Sequence, residues 1–144
     1  MWRTERVGEK GPFVATRDIW SIGIYTGTSP LHVESAAGPD NPVLTAAHVT
    51  DMPATFVADP FMLRVQQTWS MFFEVMHAQW QRGVIGLATS HDGRHWRYEH
   101  VVLQEAFHLS YPYVFAWQGA YYMVPETLEA EAIRVYRAVD FPTT

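Results

Sequence analysis

The 144-residue chain is 48% hydrophobic and 15% aromatic but only 17% charged, which is enough apolar side chain to bury a core and too much for a disordered segment. Ten basic against fifteen acidic residues give a formal charge of −5, and Lys10 is the only lysine, so no basic stripe exists to neutralise a phosphate backbone and nucleic acid is not an expected partner. Cysteine is absent, which removes disulfides, thiolate metal sites and a cysteine nucleophile.

The opening Met1-Trp2-Arg3-Thr4-Glu5-Arg6 is polar and lacks the apolar core of a signal peptide. No apolar run approaches the roughly 20 residues that span a bilayer. The expectation is a cytoplasmic protein without a membrane span, with an N-terminal segment over residues 1–19 and a single β domain over 20–144. Trp20 to Thr26 reads as a strand. Residues 27–51 are rich in Pro, Gly, Ser and Ala and read as a long loop with little regular structure, broken by one helical turn within Thr45–Val49 and by the strand-like Pro42-Val43-Leu44. Asp59 to Leu63, Trp69 to Glu74 and Val84 to Thr89 are alternating or apolar strand runs. A hairpin at Ser90-His91-Asp92-Gly93-Arg94-His95-Trp96 leads to Val101-Val102-Leu103. Two more runs, Tyr111 to Phe115 and Tyr121 to Glu126, flank Gln118-Gly119, a strong hairpin signal. A helical turn at Leu128–Ala132 and a last strand over Ala132–Arg137 close the chain.

These runs repeat. Asp59-Pro60-Phe61-Met62-Leu63 and Trp69 to Glu74 recur, at one constant offset, as Tyr111-Pro112-Tyr113-Val114-Phe115 and Tyr121 to Glu126. Val84–Thr89 recurs as Ala132–Arg137 after a shorter loop, and once more upstream as Trp20–Thr26. The matched units cover 59–98 and 111–140. A period of roughly 50 residues, each unit reading strand-turn-strand-turn-strand, fits β-propeller blades better than helical repeats. The fold class is therefore all-β, a partial propeller of about two to two and a half blades of antiparallel strands. An open set of blades leaves unpaired edges, so a homo-oligomer that completes the ring is expected.

Together, Ala58-Asp59-Pro60-Phe61-Met62, Met71-Phe72-Phe73-Glu74, the Ser90–Trp96 hairpin, Ser110 to Phe115 and Tyr121-Tyr122-Met123-Val124-Pro125-Glu126 resemble the five-bladed propellers of family 43 glycoside hydrolases. They resemble more closely the propeller domain at the N-terminus of glucosamine inositolphosphorylceramide transferases. The resemblance implies a carbohydrate held over the central axis, with carboxylates at the ends of the innermost strands. It places Asp59 where the family carries an Asp before Pro, as a general base or as a carboxylate that tunes a partner's pKa. Where the family carries its general acid, this chain has Ser110, which cannot deliver a proton as a carboxylic acid does. Glu74 and Glu126 occupy matched positions on second strands, and Glu126 is the candidate substitute acid.

His48, Asp51, Asp59 and His108 are all expected in loops before inner strands, on the side where the resemblance places substrate. They form a conceivable polar pocket or, equally, a set of loop caps. Tyr111 replaces the Asp of the first unit, and its phenol either stacks on a sugar or plugs the axis. Trp117 joins Tyr111 and His108 in a possible aromatic pocket. His91 and His95 sit in a turn, where the structural reading outweighs a zinc site. No phosphate loop, nucleophile elbow or dinucleotide fingerprint is present, so neither a cofactor nor a metal is expected. Three functions remain open: a carbohydrate-active domain binding or hydrolysing a sugar or glycoconjugate through Asp59, a binding or assembly module without the acid, and a different enzyme on the same scaffold.

Overall fold

The computed structural model describes residues 19–35 and 40–144. They form three antiparallel sheets: β1 (Tyr25–Ser29) with β2 (His32–Ser35); β3 (Ala54–Val65), β4 (Thr68–His77), β5 (Gly83–Ser90) and β6 (Arg97–Leu103) in that order; and β7 (Ser110–Trp117), β8 (Ala120–Glu126) and β9 (Tyr136–Arg137). Two single 3-10 turns, Ala46–His48 and Leu128–Ala130, are the only helical elements among the described residues.

The four-stranded sheet lies between two layers, and its sequence shows why. A strand half exposed to water alternates apolar with polar residues, whereas a strand covered on both faces reads as a continuous apolar run. β5, Gly-Val-Ile-Gly-Leu-Ala-Thr-Ser, is buried at every position except Thr89. Alternation then divides β4 and β5 between two cores. Met71, Phe73, Val75, Val84 and Ala88 pack against Ile22, Leu44 and Val49, while Phe72, Ile85 and Leu87 pack against Leu109, Val114 and Met123 of the neighbouring sheet. The C-terminal turn closes the second core: Phe141 stacks on Tyr121 at 3.9 Å and leans on Phe72, and Thr144 O accepts from the N–H groups of Val139 and Asp140.

The segment before β3 departs from the sequence reading. Trp20–Thr26 is not one strand: Ile22 makes an isolated bridge to Leu44, Asn41 clips the backbone of Ile24 through both ends of its amide, and pairing begins only at Tyr25. The expected loop also contains β2. Gly27 allows that hairpin, because a Cβ there would lie 2.9 Å from Val33 Cα. Ile22 and Leu44 are held in place by the first core, which outweighs their local strand propensity.

β3 and β7, whose sequences match, share a second feature. Each carries an X-Pro pair near a register shift, Asp59-Pro60 in β3 and Tyr111-Pro112 in β7, and the residue before proline is left-handed in both, with φ of 50° at Asp59 and 48° at Tyr111. A residue before proline is normally extended, and a left-handed non-glycine costs on the order of 1–3 kcal/mol. The extra residue of a bulge turns a side chain out of the ladder.

At the β5–β6 connection, Asp92 Oδ1 accepts from the backbone N–H groups of Arg94 and His95, and Oδ2 pairs with the His95 ring at 2.7 Å. That ring and the two N–H groups hold the Asp92 carboxyl well below the usual carboxylate range. Trp96 Nε1 donates to Gly93 O, so His95 is occupied in stabilising the turn.

Phe73 has no exposed surface and sits over Gly86, with its ring edge toward Tyr98. Phe73→Ala is expected to destabilise the fold by about 3–5 kcal/mol, as large core truncations do, measured by urea denaturation.

Candidate functional site

Glu74 lies on the face of β4 that also carries Phe72, so its carboxyl points into the layer between the two large sheets. Only 5% of the residue is exposed. Room for it comes from Gly83 on the adjacent strand, where a Cβ would lie 2.8 Å from Glu74 Oε1 and would also collide with Leu109 O. Three charged or polar groups from different elements surround this carboxyl. Asp59, turned out of β3 by its bulge, makes a side-chain hydrogen bond with it, and Glu126 at the end of β8 adds a second negative charge. His108, in the connection to β7, brings Nε2 to 3.5 Å from Glu74 Oε1.

Burial is the largest cause and the Asp59 charge the next in raising the Glu74 pKa from the ordinary 4.5 to about 7. Near neutral pH the Glu74 carboxyl is therefore about half protonated. Glu126 is held differently. Ser110 Oγ donates to its Oε2 at 3.0 Å and Leu128 N–H to its Oε1 at 2.9 Å. The carboxyl of the cluster whose pKa is raised is Glu74. Ser110 serves as a clamp on Glu126.

Asp59 also faces a cleft of about 430 Å³ lined by Trp20, Gly23, Pro60, Phe61 and Tyr111. Trp20 is 59% and Tyr111 60% exposed, and Phe61 holds the Tyr111 ring edge-to-face at 5.7 Å. Tyr111 therefore forms a wall of an open cleft.

The remaining candidates lie elsewhere. Asp59 is inside a strand, at a bulge, and not in a preceding loop; Tyr111 is in a strand as expected. Asp51 accepts from Tyr98 OH at 2.6 Å and from Val101 N–H at 2.8 Å, which ties the start of β3 to β6. His48 accepts from Thr45 N–H through Nδ1 and caps its own 3-10 turn. Trp117 ends β7, roughly 20 Å along the strand from Tyr111, and packs on Tyr122, so the pocket of Tyr111, Trp117 and His108 does not form. Sequence reading gave Trp20 and Phe61 no site role. Glu74's burial was signalled by its position two residues beyond Phe72 in a run that is otherwise almost wholly apolar. Among the described residues, no three His, Asp or Glu side chains are grouped to hold a metal ion, and no helix is long and apolar enough to cross a membrane.

The stacked antiparallel sheets define an all-β, propeller-type fold. The chain aligns with family 32 β-fructofuranosidase from Bombyx mori at a TM-score of 0.56 and 20% identity, over 77% of this chain and 26% of that one, and with a mutant of that enzyme in complex with sucrose at 0.52 and 20% identity, over 65% and 19%. More particularly, the chain belongs to the family described as glucosamine inositolphosphorylceramide transferase 1, N-terminal, which matches residues 15–144. It is 41% identical over 138 residues to the proteins of that name from Oryza sativa and Arabidopsis thaliana. The match covers 85% of this chain but 18% of each relative, so the chain spans less than a fifth of their length.

A carboxyl whose pKa is raised on folding binds its proton more tightly in the folded state, so its contribution to stability is full below the unfolded pKa and is lost as pH rises. The unfolding free energy is expected to fall between about pH 4.5 and pH 7 and to flatten above. Glu74→Gln should remove most of that slope in urea titrations run across the range.

Proposed function

We propose that this chain is a carbohydrate-binding domain that takes a sugar, or the sugar end of a glycoconjugate, in the cleft between Trp20 and Tyr111. The observation that carries this is the Asp59 carboxyl lining the cleft beside two exposed aromatic rings, with the buried Glu74 carboxyl coupled to it from behind. Sugars present hydroxyl groups that donate and accept at their edges and C–H groups on their faces, which suits charged acceptors set beside aromatic surfaces. The relatives' name, with its glucosamine and inositolphosphorylceramide, supports a glycoconjugate headgroup as the ligand.

Hydrolysis has one observation in its favour, a carboxyl that keeps its proton near neutral pH as a general acid must. The pairing opposes it. An inverting or a retaining enzyme holds its two carboxyls apart, with water or the sugar between them, whereas Asp59 acts directly on Glu74 through its charge and hydrogen bonding. We read this coupling as favouring binding without turnover. In calorimetric titrations with glucosamine, glucose and inositol glycosides, at least one should bind. Asp59→Asn and Tyr111→Ala should each weaken binding about tenfold, close to 1.4 kcal/mol, and no sugar should be released. Steady release that Glu74→Gln abolishes would establish hydrolysis instead.

The two large sheets are further read as copies of one blade, since their bulges share an X-Pro pair with the same left-handed backbone. Tyr113, Phe115, Trp117 and Tyr122 form a stacked row on the last sheet, with Tyr113 and Trp117 more than half exposed. An exposed aromatic row of this kind would be buried by a second copy, and it supports reading the chain as a homo-oligomer. Light scattering should show a mass that rises with concentration, and Trp117→Glu should hold the protein as a monomer.

A further inference from the structure

His108 is fixed at several points. Its backbone N–H donates to Glu129 Oε2 at 3.0 Å. Its ring Nδ1 accepts from Gly83 N–H at 2.9 Å. The next residue extends the same seam, with Leu109 N–H donating to Gly83 O at 3.1 Å. A neutral imidazole whose Nδ1 accepts a hydrogen bond carries its proton on Nε2. That N–H is the group standing 3.5 Å from Glu74 Oε1.

Glu74 Oε1 is thereby confined between the His108 ring and the bare Cα of Gly83. We infer that His108 is a positioning residue: held by the Gly83 N–H, it presents Nε2–H to one oxygen of Glu74 and so directs the other oxygen, and the proton it carries, toward Asp59 and the cleft. His108 touches no ligand in this arrangement and acts only through Glu74. The titratable groups around that carboxyl are Asp59 from β3, Glu126 from β8 and His108 itself, and Glu129 faces the His108 backbone. The inference rests on the cleft reading only in that Glu74 is the group being positioned.

Two substitutions separate positioning from simple bracing, because the amide of asparagine overlays Nδ1 of histidine and that of glutamine overlays Nε2. His108→Asn keeps the acceptor for Gly83 and loses the donor to Glu74; His108→Gln does the reverse. Carboxyl-carbon NMR titration of Glu74, assigned through Glu74→Gln, is expected to leave the His108→Gln midpoint close to that of the unaltered protein. It should raise the His108→Asn midpoint by about half a pH unit or more, because a lost donor disfavours the ionised form. Affinity for whichever glycoside binds should fall several-fold in His108→Asn alone. The opposite ranking, or equal effects from both changes, overturns the proposal. Long-range nitrogen–proton NMR on the unaltered protein gives a check that needs no substitution: a neutral His108 protonated at Nε2 supports it, and one protonated at Nδ1 overturns it. If the two variants split the Glu74 titration as expected while no sugar binds, the positioning stands and the carbohydrate reading fails.

Discussion

The burial of the four-stranded sheet on both faces is the constraint from which the rest of this structure follows. Strands alternate with a period of two, so once β4 and β5 lie between two layers their side chains must supply two cores at once. Phe73 and Val84 serve one, Phe72 and Ile85 the other. The same alternation leaves one position on β4, Glu74, where a carboxyl enters the inter-sheet layer. A polar group there is tolerated only with partners, and Asp59, Glu126 and His108 are drawn in from three other parts of the chain.

That arrangement joins stability to function. Burial and the neighbouring negative charges keep the Glu74 proton in place near neutrality, which costs stability as pH rises but leaves a donor beside an acceptor at the cleft. The bulges act to the same end. Asp59-Pro60 and Tyr111-Pro112 hold left-handed backbone in strands, a conformation that persists only where the surroundings over-determine it, and Asp59 and Tyr111 both line the cleft. Glycine has a matching role: Gly83 leaves the space that Glu74 Oε1 occupies and provides the N–H that fixes His108.

Membership of the family of glucosamine inositolphosphorylceramide transferase N-terminal domains and the likeness to a β-fructofuranosidase fold agree on architecture and diverge in chemistry. Fold by itself does not carry function. Two local features distinguish the carboxyls of this chain: Ser110 Oγ and the Leu128 N–H hold Glu126, and Glu74 is coupled to Asp59.

The sequence alone determined the strand runs from β3 to β8, the Gln118-Gly119 hairpin and the two 3-10 turns, because period-two alternation and turn chemistry are local properties that neighbouring residues enforce. It also marked Asp59, Glu74, Tyr111 and His108 as residues of interest, through matched positions and family resemblance. Only the tertiary structure decided which of the marked residues meet. Asp51 is tied to β6 and His48 caps its own turn, Trp117 stands at the far end of β7, and Trp20, given no site role by the sequence, becomes a wall of the cleft. The raised pKa of Glu74 has a cause that no local pattern records: a pKa is set by burial and by charges brought close in space, and those are fixed only when the two sheets pack face to face.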